Sequence, residues 1–164
     1  MPRFSRDELE AAFRHYEATA RRAAEANDWS IWADLFTADA TYWEHLYGRM
    51  SGRDQIRAWI TSTMTTYPGN EMPHFPSDWH VIDEEQGRVV AYIQNRMRDP
   101  GDGSVHQAAN VSILHYAGDN RWSYQEDIYN VADFARMITS WEERVRALGG
   151  TPGGSLARNA PDRR

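Results

Sequence analysis

Between residues 74 and 129 the chain reads as four extended segments, 74–83, 88–99, 104–116 and 121–129, with only a few residues between each and the next. The gaps carry turn chemistry: a polar turn ending at Gly87, then Pro100-Gly101-Asp102-Gly103, then Gly118-Asp119-Asn120. A parallel connection needs a crossover of about a dozen residues or more, so consecutive segments here must run antiparallel. Whatever precedes them has to pack on a sheet built this way.

What precedes them is mostly helical. Ser5-Arg6-Asp7-Glu8 has the form of a capping box, and strong helix formers follow to residue 26, with Leu9, Phe13, Tyr16 and Ala20 at helical spacing. Asn27-Asp28 stops that helix, and Asp28 can cap a short second one carrying Trp29, Trp32, Leu35 and Phe36. Residues 39–47 read as a first strand ending at Gly48. Ser51-Gly52-Arg53-Asp54 then caps a third helix with Ile56, Trp59, Ile60 and Met64 on one face, stopped by Tyr67-Pro68-Gly69-Asn70. An amphipathic helix over 131–148, with Phe134, Met137, Ile138, Trp141 and Val145 inward, closes the chain. The expectation is an α+β domain over residues 1–148: a cone-shaped, curved antiparallel sheet packed against three N-terminal helices and a C-terminal helix, with a cavity between the layers. Residues 149–164, rich in Gly and Pro, are expected to be a disordered tail.

The 164 residues suit one domain, and a chain of this size buries roughly two-thirds of its unfolded surface without disulfides or metals. The absence of cysteine removes disulfide frameworks and thiolate chemistry. The net charge of −6 and the scattered arginines argue against a nucleic-acid partner. No long apolar run or leader points to a membrane, and the cytoplasm is the expected location. Seven Trp and eight Tyr favour apolar pocket walls with polar tips, or else ordinary core and dimer interface.

The stretch Asp28-Trp29-Ser30-Ile31-Trp32-Ala33-Asp34-Leu35-Phe36-Thr37-Ala38-Asp39-Ala40-Thr41-Tyr42 resembles the opening of SnoaL-like and ketosteroid-isomerase-like proteins of the nuclear-transport-factor-2-like superfamily. Residues 48–60 are similar to the glycine-then-helix element that follows there. His74-Phe75 and Trp122 with Glu126-Asp127-Ile128-Tyr129-Asn130 continue the likeness. The resemblance covers about residues 5–148. It implies a cofactor-independent acid–base enzyme of isomerase, dehydratase or cyclase type, acting on a hydrophobic oxygenated small molecule. Non-catalytic binding or dimerisation modules and epoxide hydrolases share the fold.

By that resemblance Glu44 falls where ketosteroid isomerases carry their base, the alternative being an ion pair with Arg49 or Arg53. Asp127 lies where limonene-type epoxide hydrolases hold a water-activating aspartate, but residues 94–99 lack the Arg-x-Asp that accompanies it. Asp127 is then either a proton carrier or the ion-pair partner of Arg96. His74 resembles the histidine of scytalone dehydratase, without that family's second histidine. Asn110 and Ser112 share a strand face and could hold a developing oxyanion, with Tyr16 donating from the first helix. Trp43, Trp59, Tyr92 and Tyr124 are the expected wall residues, and Arg96 a further substrate contact. No metal-ligand spacing or phosphate cradle is present, so no cofactor is expected. A homodimer formed through an outer sheet face that includes Val111 and Ile113 is expected as well.

Overall fold

The computed structural model describes residues 3–154. Helix α1 (Arg6–Ala26) starts where the capping box places it: the Ser5 hydroxyl accepts the Glu8 N–H at 3.2 Å, and Asn27 ends the helix in the left-handed region with φ 50°. Asp28 accepts the N–H of Ser30 at 3.0 Å and opens the single turn α2 (Ser30–Ala33). Strands β1 (Phe36–Glu44) and β2 (Gly48–Ser51) precede α3 (Arg53–Thr65). A 3-10 turn (Gly69–Glu71) leads to β3 (Ser77–Asp83), β4 (Arg88–Arg96), β5 (Gln107–Gly118) and β6 (Arg121–Ile128), and α4 (Val131–Ala147) follows.

The six strands form one curved, open sheet in the order β2-β1-β6-β5-β4-β3. The meander β3 to β6 is antiparallel, as its short turns require. The sheet as a whole is mixed, however, because β1 lies parallel to β6. A helix and four other strands separate these two in sequence, so the short-gap argument does not apply to them. Strand β2 is not among the expected elements. Its pairing with β1 draws Ser51 opposite Thr41, so Ser51 does not cap α3 with its side chain; instead its N–H donates to Gln55 Oε1 at 2.9 Å and Gly52 holds the cap position at φ 86°. Register shifts in β1, β3 and β6 bend the sheet around the helices.

The helices cover the inner face only. One core cluster joins α1, α2 and α3 to the sheet through Leu9, Phe13, Phe36, Ile56, Leu114 and Trp122. A second binds α4 through Met97, Ala108, Met137, Trp141 and Val145, and the Trp141 indole donates to the Arg98 carbonyl at 2.8 Å. Each fully buried side chain of this kind contributes roughly 1.5–3 kcal/mol. The space between the two clusters is not filled. Residues 149–154 turn back along α4, bringing Gly153 against the Tyr67 ring, while residues 155–164 of the expected disordered tail lie outside the described residues. Among the described residues no helix is long and apolar enough to cross a membrane.

Candidate active site

The unfilled space is a cavity of about 440 Å³, within the range of small-molecule sites. Its walls are apolar and aromatic: Trp29 and Trp32 from the α2 turn, Trp59 and Met64 from α3, Phe75 before β3, and Phe134 and Met137 from α4. Leu46, Tyr47, Tyr67 and Val131 line it too and remain exposed, which marks the mouth. The polar groups are gathered on the sheet, where alternation turns Tyr42, Glu44, Asn95, Asn110, Ser112, Gln125 and Asp127 inward.

Asp127 is the hub. Its Oδ1 accepts from Ser112 Oγ at 2.6 Å, from Gln125 Nε2 at 3.0 Å and from Asn110 Nδ2 at 3.3 Å, and its Oδ2 accepts from the Tyr42 hydroxyl. A second tier holds the donors: the Tyr16 hydroxyl donates to Gln125 Oε1 at 3.1 Å, Gln125 Nε2 to Tyr42 at 2.9 Å, and Asn95 Nδ2 to Asn110 Oδ1 at 2.7 Å. Every donor to Asp127 is neutral. Burial therefore pushes the Asp127 carboxyl up from the ordinary range; the bonds from Ser112, Tyr42 and Gln125 oppose the rise, and the neighbouring Glu44 adds to it. Burial also raises the Tyr16 and Tyr42 hydroxyls well above the usual tyrosine value, reinforced by Asp127, so both stay protonated donors at neutral pH.

Glu44 stands beside Asp127 in register across the parallel β1–β6 pair, on strands spaced roughly 4.8 Å apart, and is only 4% exposed. Its Oε2 accepts the N–H groups of Leu46 at 2.8 Å and Tyr47 at 2.7 Å, a turn that anchors the carboxylate to the backbone. It also takes a hydrogen bond from the Tyr129 hydroxyl, which burial and this carboxylate push up. The rim ion pair with Arg49 or Arg53 does not form: Arg49 lies over the Trp43 ring at 4.1 Å, and Arg53 donates to the Phe36 carbonyl. On the opposite wall Glu17 of α1 brings a third carboxyl to the cavity, its pKa raised by burial and countered by a bond from Ser77.

The structure thus brings together Glu44, Asp127, Tyr16, Trp59, Asn110 and Ser112, and places five other expected site residues elsewhere. Trp43 and Tyr124 are odd-numbered steps from Glu44 and Asp127 and so face the outer side of the sheet, where Trp43 stacks on His45 and Tyr124 donates to Glu126. Tyr92 is also on the outer side, stacked on Trp79, and Arg96 bonds Gln107 at 2.9 Å rather than Asp127. His74 pairs with Arg96 in an isolated bridge at the sheet margin, exposed and away from the cavity; its pKa is lowered by loss of hydration and then by Arg96 and Arg98. Tyr42, Gln125, Tyr129, Asn95 and Glu17 join the site without having been singled out by the sequence. Strand parity alone points to the first three, each two residues from Glu44 or Asp127.

The chain matches the model of the SnoaL-like domain over residues 7–134. A search of curated proteins by sequence finds no match. Among solved structures it is similar to a ketosteroid-isomerase-like protein from Catenulispora acidiphila in complex with trimethylamine, at 19% identity and TM-score 0.57 over 72% of this chain and 87% of that one. It is similar also to an epoxide hydrolase of the LEH-like kind from M. tuberculosis, at 12% identity and TM-score 0.63 over 87% and 97%. A third likeness is to an NTF2-like protein from Anabaena variabilis, at 12% identity and TM-score 0.59 over 79% and 95%.

Proposed function

The chain belongs to the SnoaL-like domain family, and from that premise we propose that the cavity is the active site of a cofactor-independent acid–base enzyme acting on a hydrophobic, oxygenated small molecule. The observation that carries the reading is Asp127: a carboxyl with a raised pKa, open to an apolar cavity, fixed by four neutral donors and set beside a second carboxyl. Such a group takes a proton next to a carbonyl or hydroxyl and returns it elsewhere on the same molecule, the step shared by isomerisation, dehydration and cyclisation. Glu44, held by backbone N–H groups, is the second proton carrier. The Tyr129 hydroxyl is engaged with Glu44 and the Asn110 amide with Ser112 and Asp127, so a substrate oxygen draws on other donors. The indole N–H groups of Trp32 and Trp59, buried among the cavity walls with no partner within the described residues, offer two donors for such an oxygen. The sequence has no lysine and no cysteine, so neither a lysine imine nor a thioester offers a covalent route. Epoxide hydrolysis has less support here, because among the described residues no arginine lines the cavity beside Asp127.

A proton-exchange experiment tests this whichever product forms. The protein is incubated in D₂O with a panel of hydrophobic ketones and hydroxyketones, and deuterium entering carbon positions is followed by mass spectrometry. Wild type is expected to exchange protons of at least one compound, and Asp127→Asn to lose that exchange. Binding without exchange or turnover across the panel would move the protein to the ligand-carrier reading.

We also place a second copy of the chain on the outer sheet face. The strand registers line up Trp79, Tyr92, Val111 and Ile128 in one row and Val81, Val90 and Ile113 in the next. Trp79 and Val81 are about half exposed, at 49% and 55%, and a contiguous apolar surface of this kind favours association. Light scattering is expected to give a dimer, with Val81→Glu shifting it to monomer; a wild-type monomer at micromolar concentration sinks the idea.

A further inference from the structure

The residues around the cavity have a charge pattern that acid–base chemistry alone does not require. Three carboxyl side chains line it, Glu17, Glu44 and Asp127, and among the described residues no Arg or His does. Arginines close in sequence to its walls are engaged outside it: Arg57 with Asp34 and Asp54, Arg96 with Gln107, Arg98 with Glu71 and Arg136 with Asp133. The hydrogen bonds inside run the same way. Asp127 and Glu44 are bonded by O–H and N–H donors only, which is the arrangement of acceptor-only carboxylates. A cavity with anionic groups, low-dielectric walls and no internal cation concentrates a negative potential.

The aromatic walls next to those carboxyls are set at steep angles to one another. Tyr42 and Trp59 have ring centroids 4.9 Å apart at 50°, Tyr47 and Trp59 6.0 Å at 58°, and Trp32 and Tyr42 6.1 Å at 59°. Tyr42 is bonded to Asp127, and Tyr47 supplies an N–H to Glu44, so rings and carboxyls form one continuous lining. Several aromatic rings lining one small volume offer π-faces to which an alkylammonium group is attracted when it lies over them. A separate observation points to a ligand: Trp32 is only 4% exposed, lines the cavity, and has an indole N–H without a hydrogen-bond partner in the described residues.

From this we infer that the cavity selects organic cations, binding a hydrophobic molecule whose ammonium group sits between the Tyr42–Trp59–Tyr47 rings and the Glu44 and Asp127 carboxyls. An oxygen on the same molecule is positioned for the Trp32 indole. Carboxylate and phosphate ligands are rejected, having no cation to meet them. The inference rests on the cavity being the ligand site, as proposed above, but not on the bound molecule being turned over.

The experiment uses the full chain and three probes of similar size: phenyltrimethylammonium, tert-butylbenzene (the same shape without the charge) and benzoate. Binding is followed by tryptophan fluorescence at low ionic strength. The cation is expected to bind about tenfold or more tightly than its neutral isostere, the scale of one desolvated cation–π contact plus a carboxylate. Benzoate is expected to show no saturable binding. Glu44→Gln should remove most of the preference for the cation, read as the ratio of phenyltrimethylammonium to tert-butylbenzene affinity within the variant. Equal or tighter binding of tert-butylbenzene to wild type, tighter binding of benzoate, or no binding of any probe overturns the inference, and the wild-type comparison stands even if the variant does not fold. Tert-butylbenzene binding without a cation preference removes only the charge assignment and leaves the acid–base reading to its own deuterium test.

Discussion

Asp127→Asn is expected to lower turnover by about 10² to 10⁴-fold, the usual contribution of a positioned acid or base, and at the same time to make the protein more stable at neutral pH. The second half follows from the sign of its titration. Burial lifts the folded-state pKa above the unfolded carboxyl's value of about 3.9. Between those two values the native state holds more protons than the unfolded state, so stability falls as pH rises through that window. Above it the cost of the buried charge is present in full; below about pH 4 it vanishes. Asparagine is nearly the same shape, still accepts from Ser112 and Gln125, and never ionises. The difference in melting temperature, variant minus wild type, should be smallest near pH 4, rise with pH and then level off. Glu17 is raised in the same direction but is present in both proteins, so it cancels in the difference. A variant that is less stable than wild type at pH 8 by more than at pH 4 would make Asp127 a structural anion, stabilised by its hydrogen bonds, and would remove it from the proton-transfer step.

The elements were legible wherever local chemistry specifies them. Ser5, Asn27 and the turns at Gly87, Gly101 and Gly118 act over a few residues, and the structure follows them. The strand β2 and the parallel β1–β6 pairing were not legible, since both depend on pairing that no local turn or spacing dictates. The same division runs through the site. Asn110 and Ser112 fall on one inner face because a two-residue repeat is a local rule, and they do share it. Trp43 and Tyr124 fit a pocket wall by their chemistry but run against that rule: each lies an odd number of residues from a carboxyl assigned to the inside, and a strand cannot turn both inward without a bulge between them. His74 rests on resemblance, and the chain there has not yet entered β3. Glu17 carries no signal at all. It lies next to Tyr16 on a helix whose far side is solvent, and only the curvature of the sheet brings the cavity to it.

Trp122→Ala is expected to cost about 3–5 kcal/mol, a large share of the roughly 5–15 kcal/mol that holds a domain of this size together. Trp122 is fully buried at the centre of the larger core cluster, its ring 5.2 Å from Tyr116 and 6.0 Å from Tyr16, both edge-on. Its indole N–H has no partner in the described residues, so the loss is one of packing and not of a hydrogen bond. The backbone contribution, an N–H to the Leu35 carbonyl at 2.8 Å, is retained in the variant. At roughly 2–4 °C per kcal/mol the melting temperature should fall by about 6–20 °C. The consequence for the site comes through Tyr16, which leans on Trp122 and holds Gln125, the residue that bonds both Tyr42 and Asp127. Removing the ring opens a cavity behind Tyr16 and frees it to withdraw from Gln125, so the polar floor should loosen before the fold is lost. Ligand affinity measured well below the melting temperature is therefore expected to drop in Trp122→Ala and to persist in Trp122→Phe, which keeps an aromatic edge against Tyr16. A loss of less than about 1 kcal/mol in the alanine variant would mean that the core closes over the gap. The rigidity of the polar floor would then have to come from its own hydrogen bonds.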